Sequence, residues 1–322
     1  MRGASLVNSW RWRFNVYKHV FWYPALAAAL ALPFYPPQAG AHGFAGQRFF
    51  PATIQTDDPF VADEMSLPTV TVNPKAQDGS GESDIGFDIA KRITPNFGLT
   101  AADQWKYIHI PGAPHQYGLD TLETGAQYQL FVNASHEAMA LVGLDASWAH
   151  TGRVNGTGAD DFTTLSPALD FGKGFGDLPD WLSYARPLAI TANLGLDFPI
   201  KTESAGNPNP NNFTAGAALE YSFEYLEHHV KDIGLGAPFD RMIALVEWTS
   251  TTNLNRAPNG SVTTGIIAPG LIWAGQHYQL GAELLVPYGN SAQGHGVGGV
   301  LQFHLYLDDL FPNSIGKPIF GD

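Results

Sequence analysis

The chain of 322 residues predicts an all-β fold: an antiparallel up-and-down transmembrane β-barrel of about twelve strands, with ten the next count. Three observations predict it. Apolar and polar residues alternate with period two in runs of roughly ten to fourteen residues, where ordinary strands have about five or six and tilted membrane strands need about nine to eleven. Aromatics stand at the ends of the apolar faces, Phe213 with Tyr225 and Tyr278 with Tyr288, where interfacial girdles would put them. After the first forty residues no stretch reaches about eighteen consecutive apolar residues, so a helical span is not expected there.

The N-terminus reads as an export signal. Arg2, Arg11, Arg13 and Lys18 precede an apolar run from Val20 to Phe34, and the small residues Ala39-Gly40-Ala41 follow. A basic start, a short apolar run and an A-x-A site describe a signal peptide over residues 1–41. Cleavage after Ala41 would leave 13 Lys and Arg against 30 Asp and Glu, a net charge of −17. Such a chain has no basic surface for phosphates, so nucleic acid is not an expected partner. With no cysteine, neither disulfides nor thiolate-built zinc sites are available. Outer-membrane lipid and lipopolysaccharide, the barrel-assembly machinery and an unidentified small solute are the expected partners, and no cofactor is expected.

Residues 42–83 carry no strand pattern by this reading and form an irregular N-terminal arm or plug. The barrel is expected over 84–307. Its candidate strands are Ile85–Thr94, Phe97–Ile110, Leu122–Asn133, His136–His150, Phe162–Phe175, Leu188–Ile200, Phe213–Tyr225, Arg241–Thr249, Val262–Ala274, Tyr278–Tyr288 and Val297–Leu307. In Leu188–Ile200, Leu188, Ile190, Leu194, Leu196 and Phe198 share one face, and Thr191, Asn193, Gly195 and Asp197 share the other. The candidates number eleven and single-chain bacterial barrels usually have an even count, so one strand is expected to be split or missed. Gly206–Asn212 reads as a loop, and Asn155-Gly156 and Pro258-Asn259-Gly260 as hairpin signals. Residues 308–322 form a C-terminal extension.

The polar face is acidic. Asp88, Glu123, Asp145, Asp197, Glu220, Glu224, Glu247 and Glu283 are the lumen-facing candidates, with Arg92 the clearest base among them. Rings of carboxylates favour cations and repel anions, so a cation-preferring or neutral-solute lumen is expected. A mature His42 would pair its α-amine with its imidazole, and Asp57 and Asp58 lie nearby, a candidate metal set. His228-His229 read as loop residues, and Gly172–Gly176 as a hairpin tip rather than a phosphate loop, because no helix pattern follows. Neither G-x-S-x-G nor H-E-x-x-H occurs, so no enzyme is expected.

Three segments carry a resemblance: Tyr225–Gly234 with Pro238-Phe239, Pro269–Gly275, and Tyr306–Pro312. With the leader and the strand pattern, they resemble proteobacterial outer-membrane β-barrels grouped as transporters and related to barrels of phenol- and aromatic-degradation operons. The resemblance implies a channel or transporter for small solutes in the outer membrane of a Gram-negative bacterium. The alternative expectation is a plugged barrel that serves as a structural or metal- and ligand-binding surface element.

Overall fold

A computed structural model describes residues 43–154, 156–256, 260–292 and 294–321. The signal segment, His42, Asn155, Pro258 and Asn259 lie outside the described residues. The remainder forms twelve wall strands: β1 Glu64–Val72, β2 Gly81–Thr94, β3 Phe97–His109, β4 Glu123–Asn133, β5 Ala138–Ser147, β6 Thr164–Gly174, β7 Leu188–Pro199, β8 Asn212–Ser222, β9 Met242–Asn253, β10 Thr263–Ala274, β11 Tyr278–Gly289 and β12 Gly298–Tyr306. Each pairs antiparallel with its neighbours, and β1 closes the wall on β12 from Glu64↔Tyr306 to Val72↔Gly299. Closure leaves no sheet edge, which is the condition for strands to cross a bilayer. The up-and-down twelve-strand barrel expected from the alternation is the fold observed.

The strand missing from the sequence reading is β1. It falls inside residues 42–83, the stretch expected to be irregular, so the wall begins at Glu64 rather than at 84. Its sequence, Glu-Met-Ser-Leu-Pro-Thr-Val-Thr-Val, does alternate, but Pro68 shifts the phase by one. The register slips between Ser66 and Thr69, where a bulge accommodates the residue that cannot donate a ladder hydrogen bond. β4 is also irregular. Gln116–Leu119 pairs with the far part of β3 (Trp105↔Leu119), and Glu123–Tyr128 with its near part (Ala102↔Glu123, Phe97↔Tyr128). Residues 120–122 bulge between the two sections.

β8 stops at Ser222, three residues before the predicted Tyr225. The Ser222 hydroxyl accepts a hydrogen bond from Tyr225 N at 3.1 Å and caps a short helix, Phe223–Tyr225, that continues to Val230. A serine at that point offers the backbone a helix cap in place of the ladder. Glu224 therefore stands off the wall, and Tyr225 turns inward, 6% exposed, instead of joining a girdle. In the loop expected at Gly206–Asn212, Asn207–Pro208 pairs with Glu203–Ser204, and Asn212 already belongs to β8.

Alternation sends large apolar side chains outward. Ile85, Phe87 and Ile89 of β2 and Leu194, Leu196 and Phe198 of β7 are exposed, while Ala189 and Thr191 on the opposite face of β7 are fully buried. Outward aromatics cluster near both ends: Trp273, Tyr278 and Phe303 in contact at 5.4 and 5.7 Å, and Trp105 stacked on Tyr117 at 6.1 Å. Inside, residues 43–63 pack against inward faces of the wall. Ala45, Phe50, Phe60 and Ala62 form one apolar cluster with Met139 and Ala189, and Ile54 packs on Ala268, Leu285 and Val300. A fully buried Phe or Ile side chain contributes about 1.5–3 kcal/mol, so this segment is held by more than polar contacts. The C-terminal residues return to the rim, where Ile319 N and Phe320 N donate to Arg92 O and Ile93 O.

Candidate functional site

The lumen has two parts, a packed floor and a chain of acid-lined cavities. The floor is residues 43–63, fixed by wall side chains that the inward phase of each strand delivers. Arg48, 1% exposed, bonds Glu137 at 3.3 Å and the carbonyls of Pro187 and Arg186, and its guanidinium lies 3.9 Å from the Tyr225 ring centre. Glu137 also accepts from Gly176 N at 3.0 Å and the Tyr225 hydroxyl at 2.8 Å. Glu137 holds φ at 47°, a left-handed conformation unusual for a side chain of its size. Fully buried Glu247 accepts Ile54 N, Gln55 N and the Thr56 hydroxyl at 2.8, 2.9 and 3.0 Å. Gln129 accepts Val61 N and donates to Pro59 O, both at 3.0 Å. Gln279 donates to Ala52 O at 2.5 Å. Where the segment leaves the lumen, Asp63 accepts Arg92 N and Nε at 2.8 and 2.7 Å and Lys91 Nζ at 2.5 Å.

Glycines on the wall make room for this segment. A Cβ on Gly172 would meet Pro59 at 2.9 Å and Phe50 at 3.1 Å, one on Gly216 would meet Thr56 at 2.8 Å, and one on Gly281 would meet Ile54 at 2.5 Å. Glycine inside a strand weakens it, and it is placed where another chain segment comes close.

Past the segment lie cavities that share lining residues with one another. One of about 360 Å³ is bordered by Asp57, Asp58, Asp88, Thr100, Glu123 and His304. The next, about 420 Å³, shares Asp57 and Glu123 with it and adds Asp145, Ser166, Asn193 and Asp197. A third of about 340 Å³ shares Glu123, Ser147 and Asp197 and reaches Asp160 and Asn209 at the far rim. Among the described residues that border these cavities there is no lysine or arginine. Lys106 stands beside the first cavity, paired with its border residue Asp120 at 2.8 Å and with Glu82 at 3.2 Å.

The eight predicted acids separate accordingly. Asp88, Glu123, Asp145 and Asp197 border the cavities. Glu220, Glu247 and Glu283 are buried on the inward faces of β8, β9 and β11. Glu224 is on the short helix. Asp197 accepts from the Ser166 hydroxyl at 2.8 Å, and Glu123 from that of Ser147 at 3.1 Å. Asp57 accepts from Asn193 at 3.0 Å, and Asp58 from Thr53 N at 2.9 Å. Burial, reinforced by the charge of Glu64, pushes the Asp58 carboxyl well above the usual carboxylate range. Among the described residues, no group of three or more His, Asp or Glu is arranged to hold a metal ion. Arg48, Gln129, Glu137 and Gln279 carry the floor and were not singled out from sequence. Their one signal was Arg48, the first charged residue after the leader.

No protein-family model matches the sequence, and no curated protein does. Solved structures do. The barrel superposes on an outer-membrane channel from Pseudomonas putida F1 with a TM-score of 0.52 and 11% identity, covering 76% of this chain and 95% of that one. The two chains share a fold. Two porins, KdgM and NanC, superpose with TM-scores of 0.42 and 0.43 at 12% and 8% identity, over 74% of this chain and 98% of each porin.

Proposed function

We propose that the protein is an outer-membrane channel for small solutes, cationic or neutral, whose lumen is floored by its own N-terminal segment. The observation that carries the reading is the chain of acid-lined cavities, bordered by carboxylates without a lysine or arginine, inside a wall whose outward face is apolar. Carboxylates at that density attract cations and exclude anions. The shared fold with a protein described as an outer-membrane channel supports the same reading. The resemblance to barrels of aromatic-degradation operons makes small aromatic solutes the first class to try. The test is a planar-bilayer recording in a KCl gradient. A reversal potential toward that of K⁺ is expected; anion selectivity, or no conductance even after the floor is loosened, would overturn the proposal.

A second reading has its own observation. The density of hydrogen bonds on residues 52–63 suits a barrel that stays plugged and works as a surface element. The two readings part on whether a floor variant conducts and the native protein also does.

A further inference from the structure

We infer that the rim hairpin between β3 and β4 binds a divalent transition-metal ion of zinc type through His109 and His115. His109 ends β3, and His115 immediately precedes the short strand section Gln116–Leu119. The register Tyr107↔Tyr117 and Ile108↔Gln116 makes them the next cross-strand pair. Their Nδ1 atoms are 3.3 Å apart, and their ring centres 5.1 Å apart with the planes 33° from parallel. The nitrogens are thus much closer than the rings that carry them, so the two rings lean together at their Nδ1 edges.

That spacing is the bite of a metal. Two imidazole nitrogens at about 2.0–2.1 Å from a tetrahedral zinc ion stand about 3.3–3.4 Å from each other. A right-angled square-planar ion at the same bond length would draw them to about 2.9 Å. A direct N–H···N contact at 3.3 Å is long against the usual range of about 2.7–3.2 Å. The pair is also held before any ion arrives. The ring of His115 stacks on Tyr107 at 5.3 Å. The turn Ile110-Pro111-Gly112-Ala113-Pro114 is stiffened by two prolines, and Gly112 takes the left-handed position at φ 76°. Arg153 lies over the next aromatic, Tyr117, at 5.7 Å and bonds its carbonyl at 2.9 Å, pinning the strand that follows His115. His115 is exposed, so solvent has access to the pair and water can fill the remaining positions. Imidazole donors suit zinc, copper and nickel and do not suit magnesium or calcium.

The test is isothermal titration of the detergent-folded, full-length protein with zinc chloride at pH 7.5. One equivalent is expected to bind with micromolar affinity, weakened at least tenfold in His109→Gln and in His115→Gln and unchanged in His228→Gln/His229→Gln; magnesium chloride gives no heat. Acidification should release the ion, because protons compete for the same lone pairs. An unchanged zinc isotherm in His109→Gln/His115→Gln, or wild-type affinity no better than millimolar, overturns the proposal. A second measurement needs no variant. Zinc should protect His109 and His115 from carbethoxylation by diethylpyrocarbonate, read by mass spectrometry; equal modification with and without zinc overturns the assignment as well.

Discussion

The two halves of the lumen are built by the same strand alternation and end with opposite chemistry. In the floor half the carboxylates that grip the inner segment meet donors: Glu137 meets Arg48, Asp63 meets Arg92, and Glu247 meets three groups of residues 54–56. In the cavity half, Asp145 and Asp197 lie with hydroxyl, amide or carboxyl neighbours and no base along the cavity border. The strands do not differ in kind between the halves. What differs is whether a chain segment covers them, and a covered carboxylate needs a partner that a solvated one does without.

The largest expected effect comes from breaking the floor's buried ion pair. Arg48→Ala leaves Glu137 buried without its cation, and losing one partner of such a pair costs about 3–5 kcal/mol. The segment should then leave its seat far more often, raising open probability by at least about tenfold while the wall keeps its heat-modifiable gel mobility. Unchanged recordings would mean that the pair does not hold the floor. Next is Gly172→Ala, whose added methyl must displace Pro59 or Phe50, an overpacking cost of about 1–3 kcal/mol. The same recordings should respond more weakly, and protease access to residues 50–60 should increase.

The comparison sharpens from the other side with Glu123→Gln/Asp145→Asn/Asp197→Asn. These groups are only partly covered, so thermal stability should change by about 1 kcal/mol or less. The ratio of cation to anion permeability should fall several-fold. A fall in stability without a change in selectivity would make these acids part of the scaffold. The smallest effect is expected for Asp58→Asn. It keeps an acceptor for Thr53 and removes a buried charge that faces Glu64, so the melting temperature should stay level or rise by a few degrees.

Eleven of the twelve strands were legible because a strand of a closed barrel must present one face outward and one to the lumen, and the period-two pattern follows. β1 was hidden by a single proline, which moves Thr69 and Val70 out of phase with Ser66 and Leu67. The reach of β8 was overcounted for a related reason: Phe223 and Tyr225 keep the period, but the hydroxyl of Ser222 turns the chain into a helix. Four acids along the cavities, Asp88, Glu123, Asp145 and Asp197, could be read from strand phase, whereas Asp57, Asp58 and Asp160 lie off the strands and Asp103 was passed over. The floor could not, because Arg48 and Glu137 are 89 residues apart and only the closed wall brings them together. The glycines opposite Phe50, Thr56 and Ile54 read simply as small residues on a polar face.

The seam between β1 and β12 sets a temporal order on the molecule. The first strand finds its last partner only when the final residues of the wall have been delivered, so the ring cannot close during synthesis. The segment that occupies the lumen precedes β1 and is available before any of the wall exists. Contacts with residues as far apart in the chain as Gln129, Glu247 and Gln279 make it a natural template around which successive hairpins can gather. Assembly and the seating of the segment would then draw on one set of hydrogen bonds, and a variant that loosens the segment is expected to assemble more slowly.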